Sequence, residues 1–111
     1  MAIYSNLFID QGTDFVADID VTDSENNPLD LTGYTVAGQV RRSYTSKTAV
    51  DFHSRVIIAD KGQIRISLSA METEDFKAGR FVYDVEITSD SGIKTRVLEG
   101  QITITPGVTK I

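Results

Sequence analysis

Cysteine and tryptophan are absent from the 111 residues, histidine occurs once and proline twice. Without Cys, neither disulfides nor thiolate chemistry is available. With His53 the only imidazole, a Cys/His nucleophile pair or a multi-His metal site cannot be assembled within one chain. No apolar stretch approaches the ~18 residues that a membrane span needs, and no charged-then-apolar leader precedes a small-residue cleavage site. These absences lead us to expect no enzyme activity, no catalytic residues, no cofactor, no metal and no membrane partner. The chain is expected to be made in the cytoplasm and used there, or assembled there into something larger.

What is present is ordinary globular composition, with 41% hydrophobic and 24% charged residues. A chain of this length buries roughly 65% of the surface that its unfolded form exposes, enough for one self-supporting core. A single domain spanning 1–111 is expected.

The net charge of −5 hides an asymmetry. Residues 1–40 hold Asp10, Asp14, Asp18, Asp20, Asp23, Glu25 and Asp30 and no Lys or Arg. Arg41, Arg42, Lys47 and Arg55 then crowd the stretch 41–55, beside Tyr44 and Phe52 and with Asp51 as its one acid. An acidic surface and a basic one on the same small domain suit a head-to-tail contact between copies, the geometry that generates rings or tubes. The alternative is a solvated mosaic that the fold happens to sort.

Period-two alternation dominates the pattern. Phe15, Ala17, Ile19 and Val21 share one face of a strand and Asp18 and Asp20 the other. Asp23 to Pro28 gathers turn-forming residues. Tyr34, Val36, Gly38 and Val40 mark a second half-buried strand, and 45–48 a loop leading to a return strand at about 49–53. Asp60-Lys61-Gly62 signals a turn before a strand with Ile64, Ile66 and Leu68 inward. Ser69-Ala70-Met71-Glu72 fits a capping box, predicting a helical turn over about 70–77 with Gly79 as its C-cap. Strands 80–87 and 94–105 form a hairpin across Ser89-Asp90-Ser91-Gly92, and Ile3 to Ile9 reads as an edge strand. The fold class is therefore all-β, an antiparallel immunoglobulin-like sandwich of about seven or eight strands with one short helical turn.

Possible sites are sparse. Asp18, Asp20, Asp23 and Glu25 supply oxygens of the kind that bind Ca²⁺, but Thr22 and Asp23 break the EF-hand spacing. His53 has no patterned partner and is expected to be a strand residue. Arg41, Arg42, Lys47 and Arg55 with Tyr44 resemble a nucleic-acid patch in type, yet a pI near 4.7 gives the wrong overall field, so no nucleic-acid partner is expected. Tyr83 is expected in the core with its hydroxyl bonded at a sheet corner; the alternative is a sugar-stacking platform. The candidate interface is accordingly Asp14, Asp18, Asp20 and Asp23 on one side and Arg41, Arg42, Tyr44, Lys47 and Arg55 on the other.

Three stretches resemble a known family: Gly62-Gln63-Ile64-Arg65-Ile66-Ser67-Leu68, Ala78-Gly79-Arg80-Phe81-Val82-Tyr83-Asp84-Val85, and Arg96-Val97-Leu98-Glu99-Gly100-Gln101-Ile102-Thr103-Ile104. With Leu31-Thr32-Gly33-Tyr34-Thr35-Val36 and Gln39-Val40-Arg41, they are similar to the small β-sandwich module of tailed-phage structural proteins, as at the N-terminus of phage baseplate upper proteins. The resemblance covers about residues 14–108. It implies a non-enzymatic virion component of the tail, baseplate or neck, with other virion proteins or further copies of the chain, as a homo-oligomer or ring, for partners. The chain departs from baseplate upper proteins in having no long helix or receptor-holding domain after the sandwich, so an adaptor or decoration role is expected. The rival expectation is a carbohydrate-binding module used in host attachment, against which stands the 8% aromatic content.

Overall fold

The computed structural model describes residues 2–109; the ends of the expected 1–111 domain, residues 1, 110 and 111, lie outside them. Two sheets enclose one cluster of buried side chains. The N-terminal strand is β1 (Ile3–Tyr4) and β2 (Leu7–Asp10), followed by β3 (Phe15–Asp20), β4 (Thr35–Arg41), β5 (Val50–Asp51), β6 (His53–Ile58) and β7 (Gln63–Leu68). A short helix α1 (Ala70–Glu74) precedes the long hairpin β8 (Gly79–Thr88) and β9 (Lys94–Thr105). The larger sheet runs β1-β9-β8-β4-β5, with β2 also on β9, and the smaller runs β3-β7-β6. This is the immunoglobulin-like arrangement, an all-β sandwich.

Alternation places the core as the sequence predicts. Ile64, Ile66 and Leu68 of β7 face Val85 and Ile87 of β8 and Ile102 and Ile104 of β9, all at most 2% exposed. Each such side chain contributes ~1.5–3 kcal/mol by leaving water. Phe52 meets the Tyr83 ring edge-on at 6.1 Å. Gly38 makes room for it, since a Cβ there would lie 3.0 Å from the Phe52 ring.

Several details differ from expectation. The N-terminal strand pairs parallel to β9, with Ile3 opposite Leu98 and Leu7 opposite Ile102, so the sandwich is not wholly antiparallel. It also breaks at Ser5-Asn6, and the described residues form nine strands where seven or eight were expected. The return strand expected at 49–53 is only Val50–Asp51. Phe52, 5% exposed, then turns into the core, and burying its ring carries the chain across to the other sheet as β6. The capping box forms as predicted, with Ser69 Oγ accepting from the Glu72 N–H and Glu72 from the Ser69 N–H. The helix stops sooner, at Glu74 with Asp75 as C-cap, because Phe76 is drawn into the core. Gly79 opens β8 and does not cap α1.

Candidate interaction surfaces

Strand register fixes which loops share an end of the sandwich. Thr35 pairs with Thr88 and Arg41 with Val82, so the chain entering β4 lies beside the β8–β9 turn and the chain leaving it lies beside the start of β8. The 21–34 loop is thus at one end, with Gly33 packed against the Asp90 side chain, and the 42–49 loop is at the other, where Arg42 reaches the Arg80 carbonyl. The molecule measures 44 × 29 × 21 Å.

At the first end Asp23 organises its own loop, its Oδ1 accepting from the N–H groups of Glu25 at 2.9 Å and Asn27 at 3.0 Å. Asp30 accepts from the hydroxyl and the N–H of Thr32, which hold its carboxyl below the usual carboxylate range. Asp60 and Asp90 join them, against Lys61 and Lys94. Asp20 lies on β3 as this end begins, opposite Gln63.

The second end carries the basic loop. Arg41 donates to the Ser46 carbonyl at 2.6 Å and to Gln39 at 3.0 Å, pinning the loop down. Arg42 lies over the Phe81 ring, 5.0 Å from its centroid, and donates to the Arg80 carbonyl at 2.8 Å. Tyr44, 77% exposed, and Lys47 project from the loop. Between that loop and the segment 75–81 lies an open cleft of about 570 Å³. Asp14 sits at this same end, its carboxylate accepting from the Ala70 N–H at the start of α1. Asp10, Glu74 and Asp75 are also here.

Asp18 and Arg55 belong to neither end. Asp18 forms a two-pronged pair with Arg65, at 2.7 and 3.0 Å, on the outer face of the smaller sheet. Arg55 stands opposite Arg65 on the next strand. The guanidinium of Arg65 first, with Arg55 adding a weaker field, keeps the Asp18 carboxyl below its ordinary range.

The predicted interface residues therefore divide three ways: Asp20 and Asp23 at one end, Arg41, Arg42, Tyr44, Lys47 and Asp14 at the other, and Asp18 and Arg55 gathered around Arg65. Arg65 was not singled out in the sequence, although its place opposite Asp18 follows once β3 and β7 are paired. Two further groupings were not legible. His53 Nε2 lies 2.8 Å from Glu72 Oε1, tying β6 to α1. Arg96 lies 3.2 Å from Asp84 and 3.5 Å from Glu99, beside a polar groove on the outer face of the larger sheet. Among the described residues no three His, Asp or Glu side chains converge as metal ligands, and no helix is long and apolar enough to cross a membrane.

No protein-family model and no curated protein sequence matches the chain. Among solved structures, it is similar to an internalin-like protein of Listeria monocytogenes, with 16% identity and a TM-score of 0.45 over 96% of this chain and 28% of that one. It is also similar to a family 123 glycoside hydrolase from Clostridium perfringens, with 12% identity and a TM-score of 0.43 over 95% of this chain and 23% of that one. The chain spans about a quarter of the length of each.

Proposed function

We propose that the chain is a non-enzymatic structural module of a tailed-phage virion, an adaptor or decoration protein of the tail, baseplate or neck that assembles through its two unlike ends. The virion assignment follows the sequence resemblance. The observation that carries the assembly reading is the separation of the acidic 21–34 loop from the basic 42–49 loop to opposite ends of the sandwich. A contact between unlike ends is heterologous, so it repeats, and it closes into a ring or extends into a row. Charge complementarity supplies register and encounter rate, and apolar contacts the affinity.

Light scattering after size exclusion, at low and at ~0.5 M salt, tests this, because at the higher salt the Debye length falls to roughly 4 Å and exposed charge contacts fade. The expected result is an oligomer at low salt whose assembly is weakened at high salt. A single chain under both conditions would overturn assembly through the charged ends.

A further inference from the structure

The two ends differ in shape as well as charge. The cleft beside the 42–49 loop opens between Thr48 to Val50, where the chain enters β5, and the segment 75–81. Its walls include Val40, Val50, Phe76 and Phe81, and Arg42 and Lys77 stand among them with Asp75 the one acid. At the far end the β8–β9 turn projects Ile93, 66% exposed, from a hydrogen-bonded framework. The Ser89 N–H donates to the Ile93 carbonyl at 2.9 Å, the Gly92 N–H to the Ser89 carbonyl at 2.9 Å, and the Ile93 N–H to Ser89 Oγ at 3.0 Å. Asp90 lies in the same turn.

We infer that the Ile93 turn of one copy seats in the cleft of the next, with Ile93 against Val50, Phe76 and Phe81 and Asp90 facing Arg42 and Lys77. The occupant is a second copy because the two surfaces complement each other: a recess with apolar walls where Arg42 and Lys77 outnumber Asp75, and an apolar projection whose turn carries Asp90, with Lys94 following Ile93. The turn is fixed before contact, so little ordering opposes docking. The inference rests on the assembly reading and names its junction.

The test pairs a turn variant, Ile93→Asp, with a cleft variant, Ala78→Trp, which fills the recess from an exposed position on its wall. Ala49→Trp serves as a second cleft variant should the first fail to fold, as judged by thermal melting. Each folded variant alone is expected to need about tenfold or more concentration to assemble, the effect of losing one apolar anchor. An equimolar mixture is expected to give a two-chain species and nothing larger, since one copy keeps a working cleft and the other a working turn. Variants that assemble like the wild type, or folded variants that fail to pair when mixed, would overturn the junction while the assembly reading stands. A wild-type protein that stays a single chain at every concentration and salt would overturn both.

Discussion

The phenol of Tyr83 on β8 donates a 2.6 Å hydrogen bond to the carbonyl oxygen of Ser5, 78 residues earlier. The bond falls where the N-terminal strand breaks. Next to it Asn6 Oδ1 accepts from the Gln101 N–H at 3.2 Å, a side chain standing in for a backbone acceptor of the parallel ladder. The break between β1 and β2 is thus satisfied from both sides, and the N-terminal strand is bound to a core residue as well as to its neighbour.

Replacing Tyr83 with Phe should cost about 1–2 kcal/mol, because a part-buried carbonyl loses its partner. Burial pushes the Tyr83 hydroxyl up to about 12. The folded state therefore keeps a proton that the unfolded chain releases near ~10, so stability is fully present below that pH and falls as pH rises towards the folded value. Urea midpoints between pH 8 and 12 should decline for the wild type and decline less for Tyr83→Phe.

Gly100 on β9 lies under the same break, and a Cβ there would collide with the Ser5 carbonyl. Gly100→Ala should cost about 1–3 kcal/mol by forcing the strands apart. Faster amide exchange over residues 3–10 should report the loosening. Gly12→Ala makes the control: φ there is +80° but its Cβ would meet nothing within 4 Å, so about 1 kcal/mol of backbone strain is expected and no strand release.

Acid should unfold the protein partly through Glu72. The Ser69 N–H first, then His53, hold its carboxyl below the ordinary range. A depressed folded value means that the unfolded state binds the proton more readily, so this stabilisation is present above about 4.3 and is lost as pH falls through the folded value. Asp18, held down by Arg65, acts in the same direction. Glu72→Gln should flatten the stability curve between pH 5 and 2.5 in denaturant titrations.

Thr73 of α1 is fully buried, its hydroxyl accepting from the Gly12 N–H at 3.1 Å and donating to the Thr13 carbonyl at 2.7 Å. Thr73→Val keeps the shape and removes both bonds, for an expected loss of about 1–3 kcal/mol in chemical unfolding. Thr73→Ser should retain most of the stability.

Wherever alternation is strong, the sequence determined strand and face together. Phe15 to Val21, Ile64 to Leu68 and Phe81 to Ile87 each put their apolar residues on the core side, because a period of two leaves one way to bury them. The capping box was equally legible, since both of its bonds are made within four residues. The tertiary structure alone decided everything that depends on distant partners. It set the parallel pairing of Ile3–Asp10 with β9, the change of sheet at Phe52, and the pairing of Asp18 with Arg65 across 47 residues. It also decided the division of the charges between two ends: a stretch of sequence has a charge, but only strand register gives that charge a place on the surface.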